Sequence, residues 1–222
     1  MNIKHVFFDL DHTLWDFETN SHLVLQEIFE KHQLGKKGIK SFDSFFKVYH
    51  RINHDLWNKY RVGKISKEFL SVERFHSSIR HFKLDDLELA QMMSHDYVSL
   101  SPFKTALFPG THELLEALHK KYQLHLITNG FAEVQTVKIK QSNLEKYFTE
   151  VIISEQTPWK KPRPEIFNYA LNQAGATAHE SIMVGDDIRA DIQGAASVGM
   201  NQIWTNFNHA SAKYKPSFVV TE

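Results

Sequence analysis

Five short, largely apolar runs place the strongest constraint on how this 222-residue chain can fold. They lie at His5–Phe8, 124–127, 151–153, 182–184 and 202–204. From residue 110 onward these runs alternate with stretches in which apolar residues recur at helical spacing. Strands that are apolar on both faces, with helices between them, are typical of a parallel sheet covered on both sides. The pattern therefore predicts an α/β fold.

The segment from about residue 18 to 105 has a different pattern. Four helical patterns follow one another there without a strand between them, at 20–34, 42–60, 66–82 and 85–100. Apolar residues recur within them every three or four positions, which indicates amphipathic helices. We therefore expect residues 1–16 and 106–222 to form the α/β core, with residues 17–105 inserted as a helical domain.

Composition excludes several classes of partner and of chemistry. The chain has 26 basic and 26 acidic side chains and no cysteine. Charge balance argues against a nucleic-acid polymer as partner, and the lack of cysteine excludes disulfides, thiolate metal sites and a cysteine nucleophile. No apolar run approaches the roughly 20 residues of a membrane span, and the first residues lack a signal-peptide layout. We expect a cytoplasmic monomer or small homo-oligomer with no membrane partner.

Polar side chains follow four of the predicted strands. They are Asp9 and Asp11 after the first strand, Thr128 and Asn129 after the second, Lys161 in the loop after the third, and Asp186, Asp187 and Asp191 after the fourth. In an open parallel sheet, ligands bind beyond the carboxyl ends of the strands. The sequence therefore predicts one site at this edge, built from acids, a hydroxyl, an amide and a lysine.

Asp9 and Asp11 suit phosphoryl transfer. An aspartate is ionised at neutral pH, so Asp9 could attack phosphorus without a separate base and form an aspartyl-phosphate. Asp11 is two residues further along an extended chain, so its side chain can face the same space. It could first protonate the leaving oxygen and later take a proton from the attacking water.

A nucleophilic carboxylate and a phosphate repel one another, so such a site needs positive charge. A magnesium ion held by Asp9, the main-chain carbonyl of Asp11 and Asp186 would supply it, because magnesium prefers oxygen ligands. Lys161 would add a fixed positive charge near the nucleophile and the phosphate oxygens.

The remaining candidates would bind the phosphate or orient the groups around it. The Thr128 hydroxyl and the Asn129 main-chain N–H would hold a non-bridging phosphate oxygen. Asp187 or Asp191 would orient Lys161 or a metal-bound water from outside the ligand shell. The sequence leaves open which of these two acids has the greater part.

Taken in this order, the motifs resemble those of the haloacid dehalogenase-like (HAD) superfamily of hydrolases. The matching motifs are Asp9-Leu10-Asp11-His12-Thr13-Leu14, Thr128, Lys161, and Gly185-Asp186-Asp187 with Asp191. The resemblance covers nearly the whole chain. It implies a Rossmann-like core, a magnesium-dependent aspartyl-phosphate mechanism, and a helical insert that acts as a C1-type cap over the substrate. Dehalogenase members lack the second acid of the first motif, so Asp11 favours a phosphatase.

A narrower resemblance is to the pyrimidine 5′-nucleotidase branch of that superfamily. The matching stretches are 126–131, 133–135, 153–155 and 204–206. They imply a nucleoside 5′-monophosphate as substrate, with a pyrimidine preferred. The loop at 157–164 departs from the family pattern, because it lacks the usual glycine and has Arg163 where an aspartate is common. Lys161 precedes a proline as in the family and is taken as the catalytic lysine, with Lys160 as its rival.

Substrate selection is expected to involve the insert. Trp15, Phe17 and Asn20 flank the passage from core to insert, and Arg61 lies near a predicted turn between helices, so these four are candidate substrate contacts. Three alternatives stay open: a phosphatase for phosphoglycolate or a sugar phosphate, a sugar phosphomutase, and a binding module without activity. The last is disfavoured because the chain has every expected catalytic residue.

Overall fold

The computed structural model describes residues 2–207 and 209–221, and the apolar runs form a six-stranded sheet within these ranges. The strands are β1 His5–Phe8, β2 Gln123–Thr128, β3 Phe148–Ile153, β4 Ser181–Gly185, β5 Asn201–Thr205 and β6 Phe218–Val220. They pair in parallel in the order β3-β2-β1-β4-β5-β6. The predicted fold class, an α/β parallel sheet with a helical insert, is confirmed.

Strand β6 is the one that the sequence analysis did not predict. Its residues Phe218, Val219 and Val220 form an apolar run as short as the predicted runs at 182–184 and 202–204, and all three are exposed. It extends the sheet at its edge by pairing with β5, with Phe218 opposite Ile203.

The chain divides into two compact units, one up to Phe17 and from Thr105 onward, the other Glu18–Lys104. The α-helices of the described residues are α1 Phe17–Lys31, α2 Phe42–Arg61, α3 Lys67–His81, α4 Leu87–Leu100, α5 Thr111–His119, α6 Ala132–Gln141, α7 Pro164–Gln173 and α8 Gly194–Ala196. Short 3₁₀ turns lie at Ser101–Phe103, Glu145–Tyr147, Ser154–Gln156 and Ala178–Glu180.

The two faces of the sheet carry different helices. Side chains alternate along a strand, so neighbouring residues of β1 serve opposite faces. Phe8 lies in the core that α5 and α6 complete, whereas Phe7 packs on the opposite face with α7 and α8. Strand β1 is flanked by β2 and β4, so its carboxyl end lies where the connections diverge to the two faces. This is the position at which ligands bind in open α/β sheets.

The segment after β4 does not form one regular α-helix. The structure has a π-helix at Ile188–Gln193, which leads into the single turn of α8. The Asp187 carbonyl accepts hydrogen bonds from the N–H groups of both Asp191 (2.9 Å) and Ile192 (3.3 Å). The wider turn places the Asp191 side chain inside the protein, where it is fully buried. Such π-turns are frequent at functional sites.

The helical unit has capped helices and a core of its own. Ser41, Ser66 and Asp86 precede α2, α3 and α4, and each side chain accepts a hydrogen bond from the amide three residues on. Such caps satisfy amides that the helix itself leaves unpaired. Aromatic side chains such as Phe45 and Phe75 form the buried centre. Among residues 2–207 and 209–221, no helix combines the length and the apolarity needed to cross a membrane.

An apolar cavity of about 750 Å³ lies in the α/β unit, between α5 and the part of the sheet formed by β1, β4, β5 and β6. Its lining includes Val6, Phe8, Leu114, Leu118, Ile182 and Ile203. Leu114 is 49% exposed and Val220, also in the lining, is 39% exposed, so apolar surface of this cavity faces solvent.

Candidate active site

Asp9 follows β1 and is fixed by both its main chain and its side chain. Its N–H donates to the Val184 carbonyl (2.9 Å), and its Oδ1 accepts a hydrogen bond from Lys161 Nζ (2.7 Å). The same Nζ lies 2.7 Å from Asp191 Oδ1. Burial works to lower the pKa of Lys161, but the charges of Asp191 and Asp9 outweigh it and raise the pKa. Lys161 therefore carries a positive charge between two carboxylates.

The main chain of Lys161 is held by Asn129. Asn129 Oδ1 accepts the Lys161 N–H (2.9 Å), and its Nδ2 donates to the Lys161 carbonyl (2.9 Å). The sequence analysis assigned Asn129 a part through its main-chain N–H and missed this use of the side chain. A buried asparagine after a strand end is a signal for it, since one amide can donate and accept at once. The Lys161–Pro162 peptide bond is cis.

Three carboxylates gather beside Lys161. Asp9, Asp186 and Asp191 each offer an oxygen, and these oxygens lie within 4.8 Å of one another. Burial raises the pKa of Asp186 well above its usual range, and the charges of Asp191, Asp9 and Asp187 add to it. Burial likewise raises the pKa of Asp191, although Lys161 opposes the effect. We refer to Asp9, Lys161, Asp186 and Asp191 as the Lys161 cluster.

The Lys161 cluster fits a divalent cation. Its three carboxylates lie near one ammonium group, so the cluster has an excess of negative charge. Burial, together with the neighbouring carboxylates, raises the pKa values of Asp186 and Asp191. Hard cations such as magnesium take an all-oxygen set of ligands. The predicted ligands Asp9 and Asp186 are brought together. The third carboxylate of the group is Asp191. Only the main-chain carbonyl of Asp11 was predicted as a ligand, and the Asp11 side chain contacts Lys138 instead.

Asp187 and Asp191 have different parts in the loop after β4. Asp187 caps the π-helix, since its Oδ1 accepts the N–H groups of Arg189 (2.9 Å) and Ala190 (2.8 Å). Its own N–H donates to Asp191 Oδ2 (3.0 Å). A Cβ at Gly185 would lie 2.4 Å from the same Asp191 oxygen, so glycine is needed there to admit that side chain. Asp191 is thus the acid that reaches Lys161, and Asp187 fixes the turn that presents it.

Asp11 is held by a second lysine. Lys138 Nζ donates to Asp11 Oδ1 (2.6 Å), and Gln135 Nε2 donates to Asp11 Oδ2 (2.9 Å). Gln135 Nε2 also lies 2.6 Å from the Thr128 hydroxyl oxygen. Burial works to raise the pKa of Asp11, but the charge and hydrogen bond of Lys138, with Gln135, bring it below its usual range. We refer to Asp11, Thr128, Gln135 and Lys138 as the Lys138 cluster.

The sequence analysis missed Gln135 and Lys138. Both lie on α6 and are buried, although polar residues on a helix are usually solvent-exposed. A Cβ at Gly130 would lie 2.4 Å from the Gln135 side-chain carbon Cδ, so the glycine after Asn129 makes room for this amide. The sequence did indicate that Gln135 and Lys138 could act together, since residues three apart lie on one face of a helix.

The remaining candidates lie in different surroundings. Trp15 is 1% exposed and lies in the core, with Lys138 Nζ 3.7 Å from its ring centroid. Phe17 is half-buried, and its ring centroid lies 4.6 Å from that of His12. In the helical unit, Asn20 is fully buried in α1, and Arg61 is half-buried at the end of α2, with Nη1 3.4 Å from Asn58 Oδ1.

Comparison with known proteins gives a family and close relatives. A model of the haloacid dehalogenase-like hydrolase family matches residues 3–199. The pyrimidine 5′-nucleotidase PynA of Streptococcus pneumoniae is 34% identical over 213 residues, which cover 94% of this chain and 86% of PynA. The pyrimidine 5′-nucleotidase YjjG of Escherichia coli is 32% identical over 205 residues, which cover 92% of this chain and 86% of YjjG.

A solved structure shares the fold over the entire chain. The HAD-hydrolase YfnB of Bacillus subtilis, crystallised with bound magnesium, superposes with a TM-score of 0.89 at 24% identity. The match covers 100% of this chain and 96% of that one. At this identity the likeness concerns the fold, and it agrees with the sheet order and the helical insert described above.

Proposed function

The chain belongs to the haloacid dehalogenase-like hydrolase family, and we propose that it is a magnesium-dependent phosphatase acting on pyrimidine nucleoside 5′-monophosphates. The predicted phosphoric monoester hydrolase is confirmed by the family and by relatives that are 5′-nucleotidases. The observation that carries the mechanism is the contact between Asp9 and Lys161 inside a group of three carboxylates. The pyrimidine preference rests on the relatives PynA and YjjG.

In the first half of the proposed reaction, Asp9 is the nucleophile. A carboxylate oxygen of Asp9 attacks phosphorus, the bond from phosphorus to the 5′-oxygen breaks, and an aspartyl-phosphate forms. Asp11 must be protonated before this step, because Lys138 and Gln135 favour its ionised form. In its protonated form it gives a proton to the departing 5′-oxygen, which leaves as the nucleoside hydroxyl. Lys161, charged and 2.7 Å from Asp9 Oδ1, reduces the repulsion between the nucleophile and the phosphate oxygens.

In the second half, water releases the phosphate. Asp11, now ionised, takes a proton from a water molecule whose oxygen attacks the aspartyl-phosphate. The bond between phosphorus and Asp9 breaks, which restores the carboxylate and yields inorganic phosphate. The Thr128 hydroxyl and the Asn129 main-chain N–H would hold a non-bridging oxygen in both halves.

The proposed cation site uses the oxygens of Asp9, Asp186 and the Asp11 main-chain carbonyl. When bound, a magnesium ion offsets the charge of the carboxylates and of the phosphate. Asp191, which contacts Lys161 and lies among the same acids, keeps the ammonium group in place, and Asp187 fixes the turn that carries it. Magnesium in the YfnB crystal structure supports this assignment.

The helical insert, residues 17–105, is the proposed cap that selects the nucleoside. Phe17, Asn20 and Arg61 are its proposed substrate contacts. Trp15, which precedes the insert, is also a proposed contact, and its ring is buried in the core against Lys138. Ring and amide side chains suit a base, which offers a flat face and hydrogen-bonding edges.

The deciding experiment measures phosphate release in the presence of magnesium and ranks substrates by kcat/KM. The panel contains CMP, UMP and dTMP, purine nucleotides, phosphoglycolate and hexose phosphates. We expect the pyrimidine nucleotides at the top and no turnover by Asp9→Asn. Pyrimidine nucleotides at the bottom would overturn the substrate assignment. Conversion of a hexose 1-phosphate to the 6-phosphate without free phosphate would favour a mutase instead.

A further inference from the structure

We propose that Lys138 and Gln135 are positioning residues that fix the Asp11 carboxyl for proton transfer to the leaving oxygen. The proposal rests on the function proposed above, in which Asp11 is the proton donor. It concerns two residues outside the four catalytic motifs, although Gln135 lies in the stretch 133–135 that resembles the nucleotidase branch. It assigns both a share in the reaction through Asp11.

The first argument is that both oxygens of Asp11 are held. Lys138 Nζ lies 2.6 Å from Oδ1, and Gln135 Nε2 lies 2.9 Å from Oδ2. A carboxyl with one hydrogen bond can still turn about its terminal torsion, whereas one held at both oxygens has its plane fixed. Proton transfer requires hydrogen-bond geometry toward the reacting atom, so the orientation of this plane affects the rate.

The second argument is that Gln135 links Asp11 to Thr128. The Thr128 hydroxyl oxygen accepts from Gln135 Nε2 (2.6 Å) and from the Gly130 N–H (3.3 Å). A hydroxyl oxygen has two acceptor lone pairs and one hydrogen. Because both lone pairs are used, the hydrogen of Thr128 remains to be donated, as holding a phosphate oxygen requires. The Gln135 amide thus fixes the orientation of both the Asp11 carboxyl and the Thr128 hydroxyl.

The third argument is that Lys138 is itself confined. It is 3% exposed, and its Nζ lies 3.7 Å from the Trp15 ring centroid and 5.6 Å from that of Phe17. Aromatic faces attract an ammonium group at these distances. The next residue, Ile139, packs in the core of the α/β unit and anchors α6 at this point. Lys138 therefore presents its charge to Asp11 from a fixed position.

Stability alone does not account for this arrangement. Replacing a buried ion pair by apolar side chains of similar volume is often neutral or stabilising, so such a pair is weak evidence for a stabilising part. Gly130 also has no Cβ at the place where the Gln135 side chain packs against the turn. Both observations are consistent with residues whose function is to orient Asp11 at the reaction centre.

The test compares leaving groups within one protein. Lys138→Met keeps the length of the side chain and removes its charge. A nucleoside 5′-monophosphate leaves as an alkoxide that needs a proton, whereas p-nitrophenyl phosphate leaves as a stable phenolate that needs little help. General acid catalysis contributes about 10²- to 10⁴-fold. We expect kcat/KM to fall at least about 10-fold on the nucleotide and less than about 3-fold on the aryl ester.

Three further variants complete the design. Gln135→Met should show the same selective loss, and Lys138→Arg should restore part of the nucleotide activity. Lys140→Met, a change at an exposed lysine of the same helix, should match the wild type. The ratio of the two kcat/KM values does not depend on how much protein is folded, so a stability defect cannot imitate the result.

Equal losses on both esters would overturn the proposal, because they would show a merely structural part for Lys138 and Gln135. Full activity of Lys138→Met on the nucleotide would overturn it as well. If the wild type released phosphate from neither ester, the proposed function would fail and this inference with it. Activity in the wild type that Asp9→Asn abolishes separates that case from a failure of the inference alone.

Discussion

The Lys161 cluster and the Lys138 cluster each place a buried lysine against acid groups, yet their charges balance differently. Lys161 faces three carboxylates, of which Asp9 and Asp191 contact it directly. Lys138 faces one carboxylate, Asp11, and aromatic rings on another side. The first cluster has an excess of negative charge, whereas the second is neutral as it stands.

This difference separates two uses of a buried ion pair. Burial together with an excess of carboxylates raises the pKa of an acid, as at Asp186, and creates a place for a cation. A balanced pair lowers the pKa of its acid, as at Asp11, and fixes the direction of one side chain. The two clusters should therefore respond differently to substitution and to magnesium.

The largest expected effect is on catalysis, at the Lys161 cluster. Asp9→Asn removes the nucleophile and should lower kcat by at least about 10³-fold, since the amide cannot form the acyl-phosphate. The measurement is phosphate release under saturating nucleotide. Lys138→Met, with the nucleophile intact, should keep measurable turnover. Residual activity of Asp9→Asn within tenfold of the wild type would contradict the assigned nucleophile.

Removal of the Lys161 charge should have the next largest effect. Lys161→Met leaves Asp9 and Asp191 without their common partner, and breaking a buried pair costs about 3–5 kcal/mol of stability. Lys138→Met should cost less, because only one carboxylate loses its partner. Urea denaturation followed by circular dichroism gives both values. A larger loss of unfolding free energy in Lys138→Met than in Lys161→Met would contradict the difference drawn between the two clusters.

Magnesium should stabilise the protein through the Lys161 cluster. A ligand present at 100 times its dissociation constant adds about 2.7 kcal/mol to the free energy of unfolding. The gain should be lost in Asp186→Asn and kept in Lys138→Met, because Asp186 belongs to the acidic group and Lys138 does not. The check is the unfolding free energy with and without magnesium. An unchanged gain in Asp186→Asn would place the cation elsewhere.

A last expected effect lies away from both clusters, at His125 on β2, and concerns pH dependence. Burial, with His5 beside it, lowers the pKa of His125 from the ordinary 6.5 to about 4. The unfolded chain then binds the proton more readily, so stability should fall as the pH drops from 6.5 toward 4. The slope for one proton is at most about 1.4 kcal/mol per pH unit.

His125→Gln tests this source of pH dependence. The variant should have a flatter dependence of unfolding free energy on pH between 4 and 6.5, measured by urea denaturation. His179→Gln, a change at an exposed histidine, should keep the slope of the wild type. If the unfolding free energy of His125→Gln depended on pH as steeply as that of the wild type, His125 would be excluded as a source of the pH dependence.

Strand ends were the part of the site that the sequence predicted well. Asp9, Thr128 and Asp186 follow buried apolar runs, and in a parallel sheet the ends of such runs share one edge. Lys161 lies in a loop, and it was selected over Lys160 because it precedes a proline as in the HAD motif that the sequence resembles. Residue type and strand geometry together limited where these four side chains could lie.

The Lys138 cluster could not be predicted in the same way. Gln135 and Lys138 lie on α6, where a polar residue is normally assigned to solvent, and their burial depends on the packing of that helix on the sheet. The inward turn of Asp191 depends on a π-helix, which has no simple sequence signal. Strand β6, Phe218–Val220, has an apolar run as long as the one at 182–184 and was not recognised as a strand.

The apolar cavity beside α5 affects how unfolding can be measured. Environment-sensitive dyes report unfolding because they fluoresce when they bind newly exposed apolar surface. In this protein, a cavity of about 750 Å³ with half-exposed Leu114 already offers such surface in the native state. A dye-based melting curve would therefore begin from a high signal and understate the transition. The intrinsic emission of the four tryptophans, among them buried Trp15 and Trp204, is a better reporter, since it needs no added probe.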